Sequence, residues 1–183
     1  MFTRKFIAIA AGAVLAAGGA VGAVTASAAN AGTCVVQGSV TTSPGPQGTS
    51  AATSTDAFAF NATTITCEGT SAVSGTWANV TANGNADGTA PGTHETCAEG
   101  QGGGNITGGT NTATGVNLTT SPFTFNRVGA AVVVHGTLNT SAGLSATFTA
   151  HLSFVPQSGG CFPLGSGPTT ASMTGTANIV SAS

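Results

Sequence analysis

Three histidines, five carboxylates and four cysteines are the side chains of this 183-residue chain best suited to act on a substrate or hold a metal. Their densest grouping is His94, Glu95, Cys97 and Glu99, inside a stretch of mostly Gly, Thr, Asn and Ala that covers about 83–115. One imidazole beside two carboxylates could touch a metal, but the His-Glu-x-x-His spacing that sets two imidazoles on one helix face is absent. Gly102-Gly103-Gly104 could cradle a phosphate only if a lysine and a helix start came next, and neither does. We therefore expect no metal and no cofactor, and read the segment as a long solvated loop pinned by Cys97. His135 lies within an apolar run and His151 between Ala150 and Leu152, positions that suit strand histidines better than a general base. No Gly-x-Ser-x-Gly elbow presents a serine to a base. Asp56 and Glu68 fall at opposite ends of one expected strand, too far apart for a glycosidase pair. These residues point away from an enzyme.

The charge balance narrows the partners. Charged residues make up 4% of the chain, against about 25% in an ordinary soluble domain. Arg4 and Lys5, the uncharged run 6–24 and Ala26-Ser27-Ala28 form the basic, apolar and small-residue tiers of a signal peptide, expected over 1–29 with cleavage after Ala28 or Ala29. The run is mostly Ala and Gly, so a stable membrane anchor is not expected. Beyond it, Arg127 stands alone against Asp56, Glu68, Asp87, Glu95 and Glu99, a formal charge of −4. Nucleic acid and anionic lipid both require clustered Lys or Arg and are excluded. The expected product is one secreted, extracellular domain over 30–183, free or associated with the cell surface.

All four cysteines lie beyond the leader, which in an exported chain reads as two disulfides. Zinc sites bring cysteines within two to four residues of each other, whereas the closest two here are Cys67 and Cys97. If 34–42 and 57–67 are antiparallel neighbours, Cys34 faces Cys67, and Cys97 is left with Cys161. Cys67–Cys97 is the competing pairing.

The elements that must position these groups are strands. β-branched and aromatic residues alternate between Gly, Pro, Ser and Asn clusters over 34–42, 57–67, 72–82, 116–118, 122–128, 130–138, 144–155 and 172–180. The fold class is all-β, a single antiparallel domain built as a curved sandwich or an up-and-down barrel. Turns are expected at Pro44-Gly45-Pro46, at Asn83-Gly84, at 156–160 and at 165–168; the five-residue loop 139–143, with Gly143 at positive φ, marks the clearest hairpin. Gly38, Gly75, Gly136 and Gly175 recur in a shared short pattern inside strands, a sign of sharp curvature or close backbone approach. Phe58 with Phe60, and Phe123 with Phe125, fall two apart and so on one strand face, which makes them core anchors first and ligand contacts second.

The Ala-rich leader, the near absence of lysine and the Thr/Gly/Ala-heavy remainder with four cysteines resemble the small exported proteins of high-GC Gram-positive bacteria such as Streptomyces. That compositional resemblance implies an extracellular location and no activity. The leading expectation is a non-enzymatic domain that binds a small apolar ligand or a partner protein. Phe58, Phe60, Trp77, Phe123 and Phe125 would supply apolar surface, and His94, Glu95 and Arg127 would orient the ligand. A cavity of several hundred Å3 is what this reading anticipates. The alternative is a cell-surface or coat protein whose uncharged strands associate edge to edge. A third reading, protease inhibition through Cys161-Phe162-Pro163-Leu164, or a secreted hydrolase, stands behind both.

Overall fold

The computed structural model describes residues 30–46, 56–88, 95–159 and 169–181. They form eight antiparallel strands: β1 (Asn30–Ser43), β2 (Asp56–Gly69), β3 (Gly75–Asp87), β4 (Glu99–Asn111), β5 (Ser121–Val128), β6 (Ala131–Asn139), β7 (Ser145–Ser158) and β8 (Thr169–Ser181). Each strand pairs with the next, and β1 pairs with β8, so the sheet closes into an up-and-down barrel. Of the two architectures the alternation allowed, the barrel is the one adopted.

Period-two alternation sorts the side chains. Phe58, Val132, Val134, Leu138, Phe154, Ala177 and Ile179 are buried in the interior, while Thr41, Thr66, Thr124, Asn126, Thr147 and Thr176 face outward. The large apolar side chains that remain exposed among the described residues are Val35, Val128 and Val155. Hydroxyls and amides thus form the outer surface in place of ions.

Two strand irregularities were invisible to alternation. Between Val36 and Ser39 the β1–β2 register slips, and the inward set of β2 changes from Phe58 and Ala62 to Cys67, as a β-bulge requires. A second slip in β3 surrounds Asn79, which adopts φ 54°, a conformation asparagine tolerates better than most side chains.

The principal correction concerns 83–115, expected as a loop. Its two ends are strands: β3 runs through Asn83-Gly84 to Asp87, and Gly102, Gly103 and Gly104 lie in β4. Glycine is a poor strand former because it packs nothing. Here the neighbouring strand supplies the missing surface: Phe125 pairs with Gly102, Phe123 with Gly104 and with Gly136, and Phe58 with Gly84. A ring laid over a cross-strand glycine restores the packing that the strand lacks, and a narrow barrel has room for the ring only where the facing residue has no Cβ. At Gly136 a Cβ would lie 2.7 Å from both Phe123 Cβ and Phe148 Cε1. Gly38, Gly136 and Gly175 are therefore strand glycines as expected, whereas Gly75 only opens β3 at φ 114°. The 116–118 segment makes isolated bridges, Thr110 to Asn117 and Leu118 to Thr140, and no named strand. The 139–143 hairpin turn forms with Gly143 at φ 82°. Pro156 and Ser158 continue β7 against β8 and do not turn.

Cys34 and Cys67 are register partners across β1 and β2 and are joined by a disulfide. Cys97 is also disulfide-bonded. Its expected partner Cys161, the leader 1–29, His94, the 165–168 turn and the Cys161–Leu164 segment lie outside the described residues.

Candidate functional site

The inward faces enclose a cavity of about 180 Å3 along the barrel axis. Phe58, Phe60, Trp77, Phe123 and Phe125, drawn from three strands, all line it. The rings interlock: Phe58 lies 5.5 Å from Phe125 at 86° and 6.0 Å from Phe123 at 50°, both within the favourable range for tilted aromatic pairs. The cavity is smaller than the several hundred Å3 anticipated, because the phenyl rings occupy much of the lumen. No polar atom is exposed on its surface.

One end of the barrel is closed by hydrocarbon. Trp77 is buried and donates its indole N–H to the Val73 carbonyl at 3.0 Å, and Val73 and Leu118 are buried beside it. The disulfide lies toward this end, between the start of β1 and the end of β2.

The opposite end is closed by charge. Arg127, on the inward face of β5, is 3% exposed, and Glu95, expected in a solvated loop, is 2% exposed. Arg127 Nε donates to Glu95 Oε1 at 2.6 Å. Nη1 donates to the carbonyls of Cys97 (3.2 Å) and Gly129 (2.8 Å), and Nη2 to those of Thr96 and Glu99. A guanidinium has five N–H groups, and all five are engaged. The Phe154 ring lies 5.1 Å from its central carbon, a cation–π contact. Arg127 thus draws the 95–99 segment across the end of the barrel, and Gly100 makes room for the Glu95 side chain, since a Cβ there would meet its carboxyl carbon at 2.7 Å.

Burial drives the Glu95 carboxyl above the ordinary carboxylate range; Arg127 pulls it down, and the nearby charge of Asp56 pushes it up again. Asp56 is itself fully buried, as is Thr169, and Thr42 lies on the cavity wall. Glu95 Oε2, Thr42 Oγ1 and Thr169 Oγ1 accept no hydrogen bond.

Arg127 was expected to orient a ligand. It lines the cavity, but every donor it has is held by the chain itself. Phe154, not among the expected site residues, lines the cavity and, with Arg127, Cys97, Gly129, Ala130 and Pro156, also lines a second cleft of about 250 Å3. Arg127 and Phe154 are therefore the partition between lumen and cleft. The signal for both was present: a single arginine in an alternating strand, and an inward phenylalanine at the far end of β7. His135 and His151 are exposed on the outer face, and His135 Nδ1 lies 3.0 Å from Thr149 Oγ1.

No protein-family model, curated protein or solved structure matches this chain.

Proposed function

We propose that this is a secreted, non-enzymatic binding protein whose barrel holds one small apolar molecule. The observation that carries this reading is the lumen of about 180 Å3 whose surface exposes only apolar atoms. An apolar cavity of about 150 Å3 stays dry and takes up benzene, so the volume suits a single ring with one or two added heavy atoms. The site is also preformed, which removes an ordering cost from binding. The outward Thr and Asn faces are the reverse of a membrane barrel, which carries its apolar band outside and its polar groups within. The coat-protein alternative has less to support it: β1 and β8 pair along their length, leaving no free edge among the described strands for strand-to-strand association.

Trp77 is the one tryptophan and it lines the cavity, so its emission reports occupancy directly. Titration with toluene should quench or shift that emission saturably and raise the unfolding midpoint. Occupancy at a hundred times Kd stabilises by about 2.7 kcal/mol. An unsaturable emission change with no gain in midpoint would rule the reading out.

A further inference from the structure

We infer that the lumen selects single-ring hydrocarbons, bare or halogenated, and discriminates against ring compounds bearing a hydroxyl, amine or carboxylate. This rests on the cavity-binding reading and adds the chemical class of the ligand.

The argument is an account of donors and acceptors at the one polar end of the cavity. The residues there that could recognise a polar head are Arg127, Glu95 and Thr42. Arg127 has no donor to offer, because its five N–H groups reach Glu95 Oε1 and four main-chain carbonyls. A ligand carboxylate would have to pull at least one of these away while lying beside the Glu95 carboxylate, which lines the cavity. A ligand hydroxyl or ammonium needs an acceptor. Glu95 Oε1 is taken by Arg127 Nε, and Glu95 Oε2 and Thr42 Oγ1, though they accept nothing, are covered by neighbouring atoms and not exposed to the lumen. A polar head entering the cavity therefore gives up its water without gaining a partner, a cost of several kcal/mol in a fully apolar medium and less in proteins. The rest of the lining, from Phe58 and Trp77 to Leu152 and Ile179, with the Cys34–Cys67 disulfide and the Met173 thioether, contributes only apolar surface.

The test compares four molecules of nearly one shape on the intact protein: toluene, phenol, benzylamine and benzoate, each followed by Trp77 emission and by calorimetry. Toluene should bind most tightly, phenol about 100-fold more weakly, the usual limit for a hydrophobic pocket rejecting an added hydroxyl, and the two ions, benzylammonium and benzoate, not measurably. Phenol or benzylamine binding as tightly as toluene would overturn the selectivity and leave cavity binding intact. The Glu95→Gln variant then identifies Oε2 as the acceptor if that affinity is lost. Failure of all four to bind would overturn the cavity reading itself, and this inference with it.

Discussion

Replacing Arg127 with methionine keeps the unbranched stem as far as about Nε but removes the guanidinium and the charge that holds Glu95. The carboxylate then stays buried with Asp56 as its nearest charge, and four main-chain carbonyls lose their donor. Removing one partner of a buried pair costs about 3–5 kcal/mol, and at pH 8 we expect the variant to lose at least that much in urea unfolding. The pH dependence makes the test specific. Burial already raises the Glu95 carboxyl and Arg127 is the group that lowers it, so in the variant it rises further. A carboxyl that holds its proton more tightly folded than unfolded lowers stability as pH rises from the unfolded pKa to the folded one. Wild-type Glu95 shares that slope up to its own raised folded pKa, so the deficit of the variant should shrink on acidification from the variant's folded pKa down to the wild type's, by up to about 1.4 kcal/mol per pH unit for one proton. In Glu95→Leu/Arg127→Met this slope should vanish and part of the loss should return. A deficit below about 1 kcal/mol at pH 8, or one equal at pH 8 and pH 5, would refute the account of Arg127 as the counter-charge that fastens the end of the barrel.

Three further outcomes follow from the same geometry. Reducing Cys34–Cys67, whose partners stand 33 residues apart, should cost about 4 kcal/mol by loop-closure entropy, read as a lower denaturant midpoint; an unchanged midpoint would mean the pleated layers hold that end unaided. Gly136→Ala should destabilise by about 1–3 kcal/mol, since the new methyl meets Phe123, Phe148 and the Pro122 carbonyl at 2.6–2.7 Å, and stability at the wild-type level would contradict the ring-on-glycine packing. Phe58→Ala should cost about 3–5 kcal/mol and enlarge the lumen, so that naphthalene, too large for the native cavity, binds and shifts Trp77 emission; a variant that takes toluene but still refuses naphthalene would show that the space collapses.

Much of this architecture could be read from residue order, and the failures share one cause. Alternation located seven of the eight strands to within a few residues, because Val, Phe and Ile mark an inward face wherever one side of a strand is buried. It missed β4, where Gly100, Gly102 and Gly104 hold the inward positions of the first half, Ile106 alone of the strand's apolar residues lines the lumen, and the burying surface belongs to Phe123 and Phe125 on the neighbouring strand. The signal for that strand is thus stored outside it. The Cys34–Cys67 bridge was legible because antiparallel register alone puts the start of β1 beside the end of β2. The aromatic lining was equally legible from the two Phe-x-Phe pairs. The burial of Glu95 was not, because a carboxylate between glycines and threonines carries no mark of the arginine, 32 residues later, that draws it inside.

The seam between β1 and β8 has a consequence for how such a chain is made. Thr33 hydrogen-bonds Asn178 across 145 residues, so the first ribbon of the cylinder needs the eighth before it can shut. Without β8 both β1 and β7 would lack a partner along one edge, and bringing such distant segments together carries a large loop-closure entropy. The barrel can therefore shut only once β8 is present, and the pairing that encloses the interior is the same one that covers both margins.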